Sequence, residues 1–259
     1  MNIKLYSYLF GLFGTDGSIR RNHDNTHISS LSIELIDKDI LDKIAQQLSN
    51  CTQSERIRDT NFKKNAHHYY LYCSNKQFIL WLQEHGMPLI DKTNSIAAPS
   101  GEYSEPDFWR GVIDGDGSLG IKTVEQQPFV SLVTKSIFLK NDFIDFIYRN
   151  TGFKPICNRN QRDGVFNITL HGEKALKIAS ILYEDASIYI DRKYNTYLQI
   201  RNWKKKNMKG VVRKKWTEQE VQDLKRMDIY TFHDKYPERT LVAIKGKRQK
   251  LKQKGELDE

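Results

Sequence analysis

The sequence predicts an α+β protein in which an αββαββα unit is written twice and followed by a small all-α domain. Three observations predict it. "YLFGLFGTDGSI" (residues 8–19) and "FWRGVIDGDGSLG" (108–120) share the pattern Gly-x-x-x-x-Asp-Gly-Ser-[Leu/Ile], which sets Asp16 and Asp116 100 residues apart. A second shared motif, Lys-x-Asn-[Ser/Thr], falls at Lys92 and Lys193, 76 and 77 residues after those aspartates. Finally, residues 201–259 hold 18 Lys/Arg against 9 Asp/Glu while residues 1–200 hold 23 of each, so the whole net charge of +9 sits in the tail.

Each copy opens on an apolar helix, over about 3–14 and about 105–115. Strand-like segments follow: "GSIRRNHD", "HISSLSIEL", "SERIRDT" and "HHYYLYC" in the first copy, and "GSLGIKTVE", "FVSLVTKS", "KPICNRN" and "GVFNITL" in the second. Between the second and third strands lies an amphipathic helix, marked by Ile40, Leu41, Ile44 and Leu48 and then by Phe143, Ile144, Phe146 and Ile147. A further helix follows the fourth strand of each copy. "AAPSGEYSEPD" (97–107) and "NWKKKNMKGVVRKK" (202–215) read as joints, which divides the chain at 1–98, 99–202 and 203–259.

In the last segment Thr217 and Glu220 form a capping box, with Trp216 and Val221 placed for a hydrophobic staple. A second short helix stops at Tyr236-Pro237. The third carries Leu241, Ile244 and Leu251 on one face and basic residues largely elsewhere. Three short helices with a basic last one predict a helix-turn-helix. A charge excess confined to the tail points to a polyanion, most simply nucleic acid.

No apolar run approaches the ~20 residues needed to cross a bilayer. The N-terminal "MNIKLYSYLF" lacks the apolar core and cleavage site of a signal peptide, so an intracellular protein with no membrane partner is expected. Cys51, Cys73 and Cys157 are odd in number and form no CxxC, which argues against a disulfide framework and against structural zinc.

The aspartates carry the chemistry. Each lies at the C-terminal end of a helix, where the dipole is already negative and a carboxylate is misplaced. If the copies pair about a pseudo-twofold axis the two acids become neighbours and repel, unless one is protonated or a cation lies between them. A hard divalent ion resolves this, with Mg²⁺ the commonest candidate. Gly11 and Gly111, one turn earlier, allow the two helices to approach closely. A metal held by carboxylates beside a basic partner suits phosphodiester hydrolysis.

"LFGLFGTDG" (Leu9–Gly17) and "WRGVIDGDG" (Trp109–Gly117) resemble the motifs of the LAGLIDADG homing endonucleases in their single-chain, two-motif form, over roughly residues 1–202. Gly14-Thr15 stands where the family name has Asp-Ala. The resemblance implies a DNA-binding saddle of two antiparallel sheets in a monomer acting as a pseudo-dimer, each motif cutting one strand of double-stranded DNA. On that likeness Asp16 and Asp116 are catalytic and bind Mg²⁺, with Mn²⁺ or Ca²⁺ able to substitute in binding, helped by the backbone carbonyls of Thr15 and Gly115. Lys92 and Lys193 fall where the family's active-site basic residue does. The positions that would order the attacking water hold Leu35 and Thr134.

Strand alternation nominates Arg20, Arg21, Arg56, Arg58, Lys63, Lys122, Arg159 and Arg162 for DNA contacts. Lys245, Lys247, Arg248 and Lys252 are the candidates in the tail, which resembles a Myb-like or homeodomain-like module. Two other readings remain open. "DGDGSLGIKTVE" places Asp114, Asp116, Ser118 and Glu125 at EF-hand positions, though Leu119 replaces the glycine such a loop needs. The same scaffold could also serve a non-cleaving DNA-binding regulator or an RNA maturase.

Overall fold

A computed structural model describes residues 2–59, 64–123, 125–204, 214–253 and 255–257. The chain divides into two compact units, 1–205 and 206–259.

The larger unit begins with α1 (Ile3–Thr15), whose Asn2 side chain caps the amide of Leu5 at 3.2 Å. Every residue from Leu5 to Gly14 is buried, so α1 is a core helix rather than an amphipathic surface one. There follow β1 (Ser18–Arg21), β2 (Ile28–Leu35), α2 (Lys38–Gln47), β3 (Cys51–Arg58), β4 (Ala66–Cys73), α3 (Lys76–Glu84) and the single turn α4 (Lys92–Ser95). The strands form an antiparallel sheet in the order β1-β2-β4-β3. Its inner face carries Leu31, Ile33, Leu71 and Cys73, as period-two alternation requires.

The second copy runs α5 (Glu105–Asp116), β5 (Gly117–Lys122), β6 (Gln127–Thr134), α6 (Ile137–Thr151), β7 (Phe166–His171), α7 (Gly172–Tyr183) and α8 (Asp191–Ile200). Its sheet is β5-β6-β7. The expected strand "KPICNRN" is not formed; only Arg159 makes an isolated bridge, to Phe166. Pro155 has no N–H to donate. Asn160 instead turns the chain tightly, its carbonyl accepting from the Gly164 amide at 2.9 Å and its amide donating to Val165 at 2.7 Å. The two copies therefore share helix order but not strand count. The EF-hand reading of this copy also fails. Asp114 is buried inside α5, and the chain enters β5 at Gly117 where a calcium loop would curl.

A single apolar core runs through both copies, with Trp109 packed among Phe108, Phe143 and Phe146. Polar links join the copies at its edges. Arg192 donates to both carboxylate oxygens of Asp37 at 2.8 and 3.0 Å, and Lys43 reaches Asp191 at 2.5 Å and the Tyr189 carbonyl at 2.9 Å.

The described residues of the smaller unit form three helices, α9 (Glu218–Arg226), α10 (Ile229–Lys235) and α11 (Leu241–Gln253), around Leu224, Phe232, Ile244 and Leu251. The Thr217–Glu220 capping box is present in both directions. Buried Arg239 joins α9 to the chain before it, pairing with both oxygens of Glu220 at 2.8 and 2.9 Å and donating to the carbonyls of Lys214 and Lys215.

Candidate active site

The site is built on the seam between α1 and α5. A Cβ on Gly11 would stand 2.7 Å from the Val112 amide nitrogen and against the Phe108 carbonyl. A Cβ on Gly111 would stand 2.9 Å from the Leu12 amide nitrogen and against the Tyr8 carbonyl. The contacts are reciprocal: each glycine meets residues three before and one after its counterpart, as a local twofold axis between the helices demands. Only glycine fits either position, because the obstacle is backbone and cannot rotate away.

This seam brings the helix tips together. Asp16 caps α1, and Asp116 is the last residue of α5. The Asp16 carboxylate lies 3.4 Å from where a Cβ of Gly115 would stand. Both side chains remain open to solvent on one side, with dense protein on the others. Burial pushes both carboxyls up, and the neighbouring Asp16 charge adds to the shift of Asp116, which reaches about 6.

Two lysines close the site from beneath. Lys92 Nζ donates to the carbonyls of Phe13 (2.8 Å), Thr15 (2.9 Å) and Gly17 (2.6 Å). Lys193 Nζ donates to the equivalent carbonyls of Ile113 (2.5 Å), Gly115 (3.4 Å) and Gly117 (3.0 Å), and also to Asp114 (2.7 Å). Each ammonium thus takes up carbonyls that a helix end leaves without partners and faces the negative end of the dipole. Burial lowers both lysines to about 8, against the pull of the nearby aspartates, so both are charged at neutral pH. The repeated Lys-x-Asn-[Ser/Thr] motif is therefore part of the helix-tip architecture.

The donor set fits a hard divalent cation. It offers two carboxylates whose repulsion a cation would relieve, plus main-chain oxygens at Thr15 and Gly115. Those carbonyls already accept from the lysines, so they would offer a second lone pair. Among the described residues no group of three His, Cys, Asp or Glu side chains gathers to hold a metal, so water and substrate oxygens would have to complete the coordination shell.

Two supporting residues, Arg192 and Asp37, carry no sequence signal, and a third, Asp114, stands in the sequence only as a calcium-loop candidate. Asp114 is buried and accepts from Tyr8 Oη at 2.8 Å, Tyr183 Oη at 2.6 Å and the Ile190 amide at 3.0 Å, tying α5 to α1 and to the entry of α8. Beyond that loop pattern, its place in a Gly-x-x-Asp-x-Asp run was the only signal for it. Arg192 and Asp37 add opposite charges to the surroundings of Asp16. The first copy has Asp91 where the second has Arg192, so the two half-sites differ electrostatically.

The nominated DNA contacts divide. Cross-strand register puts Arg20, Arg56 and Arg58 on the outer face of the first sheet, with Ser18, Ser32, Ser54 and Tyr70. A shift in register after Arg20 takes Arg21 out of that alternation. Arg58 and, more loosely, Arg56 pair with Glu34, and Arg56 also lies over the Tyr70 ring. On the second sheet Lys122 is exposed on the outer face beside Phe129. Arg159 lies over Phe166, and Arg162 pairs with its neighbour Asp163. Lys63 falls outside the described residues. In the smaller unit Lys245 and Lys252 are exposed, Lys247 leans over the Trp216 ring, and Arg248 donates to the Met227 carbonyl at 3.1 Å.

Comparison with known proteins places this geometry. Residues 5–86 match the family model described as a LAGLIDADG-like domain. The chain is similar to the homing endonuclease I-WcaI bound to its DNA recognition sequence, at 14% identity over 75% of this chain and 86% of that one, with a TM-score of 0.50. It also aligns with I-DmoI in complex with DNA and Ca (14% identity, 70% and 91% coverage, TM-score 0.44) and with the N-terminal LAGLIDADG domain of DUF199/WhiA (11%, 74% and 88%, 0.46). No curated protein matches the sequence. The chain therefore carries a LAGLIDADG-like domain at residues 5–86 and shares its mixed α/β fold of antiparallel sheets with the homing endonuclease I-WcaI.

Proposed function

We propose that this protein is a divalent-metal-dependent endonuclease that cuts double-stranded DNA at a specific site, one strand at each motif tip. The observation that carries the reading is the pairing of Asp16 and Asp116 across a glycine seam that admits no other residue. A binding protein gains nothing from two crowded, solvent-open carboxylates aimed at a polyanion. A hydrolase gains a cation site, and Mg²⁺ there would activate water and stabilise charge on phosphate. The chain's own residues hold the carboxylates at the tips, and Lys92 and Lys193 set a positive charge beneath each one. The saddle would present Arg20, Arg56, Arg58 and Lys122 to the duplex, as a monomer whose two copies stand in for two subunits. The smaller unit would act as a helix-turn-helix that adds affinity for flanking DNA.

A second reading is favoured by one specific observation. Leu35 is a half-buried apolar side chain at the end of β2, and the Thr134 hydroxyl is buried, accepting from the Ser136 amide at 3.1 Å. Neither offers a group to an attacking water. That departure suits a non-cleaving DNA-binding regulator or a maturase on the same scaffold. Incubation with Mg²⁺ and a DNA library separates the two. Breaks at a defined sequence that disappear with Asp16→Asn establish the nuclease. Sequence-specific binding with no breaks in Mg²⁺, Mn²⁺ or Ca²⁺ establishes the regulator.

A further inference from the structure

We propose that α11 reads base edges in the DNA major groove through an uncharged stripe, Val242, Gly246, Gln249 and Gln253, while lysines on either side of that stripe engage the two phosphate backbones. This rests on the DNA-binding part of the function proposed above and is independent of cleavage.

Packing fixes the orientation of the helix. Ile244 and Leu251 are buried against Leu224 and Phe232, so the opposite side of α11 is the free one. At roughly 100° per residue, Val242, Gly246, Gln249 and Gln253 fall within about 60° of arc directly away from the core. All four are exposed, and Val242 is 82% exposed, which is unusual for a valine on a helix that has an apolar core to join. Lys245 and Lys252 lie along one edge of this stripe and Lys250 along the other. The helix contains no acidic residue.

Each part of the stripe has a chemical counterpart in the groove. A glutamine amide presents one donor and one acceptor side by side, which matches the N6 and N7 of adenine. Valine methyls match the thymine methyl. A helix lying in the groove turns its flanks toward the two backbones, where lysines serve as sequence-blind phosphate contacts. Gly246 is otherwise unexplained. A Cβ there would meet nothing within 4 Å, and glycine inside a helix is destabilising, so packing within the unit does not call for it. What the missing side chain permits is closer approach of the helix axis to a partner.

A concave surface of about 550 Å³ between α10 and α11 borders the Lys245/Lys252 flank. Tyr230 at its rim is 68% exposed and offers a further hydroxyl to phosphate. Asp228 also lines this hollow, but its carboxylate accepts from the Tyr230 and Thr231 amides and from the Thr231 hydroxyl, which occupies it at the start of α10. Lys247 and Arg248 are turned to contacts within the unit, over Trp216 and to the Met227 carbonyl.

The test uses the full-length chain. Duplexes bound from a randomised pool are sequenced for the wild type and for Val242→Ala, Gln249→Ala, Gly246→Ala and the double variant Lys245→Ala/Lys252→Ala. The wild type should specify a short block of base pairs set apart from the main site. Gln249→Ala and Val242→Ala should each relax one position of that block, with discrimination there falling about tenfold. The lysine double variant should keep the block, weaken binding to all sequences, and flatten the salt dependence by about two charges. Gly246→Ala should raise the melting temperature of the three C-terminal helices yet weaken binding. The proposal is overturned if the block is unchanged in Gln249→Ala and Val242→Ala, if Gly246→Ala binds as tightly as the wild type, or if structured RNA displaces duplex DNA from this unit. The two readings fail separately: a block that is selected without any DNA breakage retires the nuclease and leaves the stripe standing.

Discussion

The carboxylate of Asp16 rests against Gly115 of the other copy, so the two motif helices converge at their acidic tips. The approach is set one turn earlier, where backbone meets backbone at Gly11 and Gly111.

That seam should tolerate no added methyl. Gly111→Ala forces a Cβ against the Tyr8 carbonyl and the Leu12 amide, and overpacking of this kind costs about 1–3 kcal/mol. Thermal unfolding of the variant should show a lowered melting temperature for the N-terminal unit, with the C-terminal helices unaffected.

Removing one charge should separate stability from activity. Asp116→Asn ends the repulsion between the tips, so without metal the protein should melt no lower than the wild type. The same change should cut the rate of Mg²⁺-dependent DNA breakage by at least about 100-fold. Equal cleavage by Asp116→Asn and wild type would remove that residue from the chemistry.

Protons and cations should compete at the tips. The Asp116 carboxyl titrates near 6, above its ordinary 3.8, so the native state holds this proton more tightly than the unfolded chain does. Without metal, its contribution to stability therefore declines as pH rises from about 4 through about 6. Metal binding must displace the proton, so Mg²⁺ affinity measured by calorimetry should climb over the same interval and level off above it. A pH-independent affinity would place the cation elsewhere.

The lysines invite a distinction between support and chemistry. Lys92→Met strips three carbonyls of their donor at a half-buried position, a loss of about 1–3 kcal/mol. If capping is the lysine's whole role, the folded fraction of the variant should cleave at the wild-type rate. A rate loss in fully folded protein, at a temperature well below melting, would assign Lys92 a part in the reaction.

In the smaller unit, the Arg239 guanidinium holds the Glu220 carboxyl at about 2, below its ordinary 4.5. A depressed acid stabilises the fold above its unfolded value, and the stabilisation is lost as pH falls through the folded one. Amide signals from α9 to α11 should therefore weaken between about pH 4.5 and pH 2, and Glu220→Gln should lessen that dependence, leaving the part carried by Asp223, which Lys235 and Tyr236 hold at about 2.

Local signals made much of this fold legible. The apolar helices at 3–15 and 105–116 and the Thr217–Glu220 cap were readable because burial and capping leave their marks within a few residues. "KPICNRN" misled because Ile156 and Cys157 give it an apolar centre bounded by turn residues, while Pro155 and Asn160 take the backbone out of pairing. Asp114 reads in the sequence as a calcium-loop ligand, and its bracing role is hidden there because its three donors come from residues 69 to 106 positions away.

What the order of residues determined unaided is the duplication, the two acidic tips and the basic tail, since each is a matter of spacing and composition. Only the folded chain decided that the tips touch, that Lys92 and Lys193 are bound to helix-end carbonyls, and that Lys247 and Arg248 turn inward. The reason is physical: such contacts join segments far apart in sequence, and their energies depend on distances that no local pattern encodes.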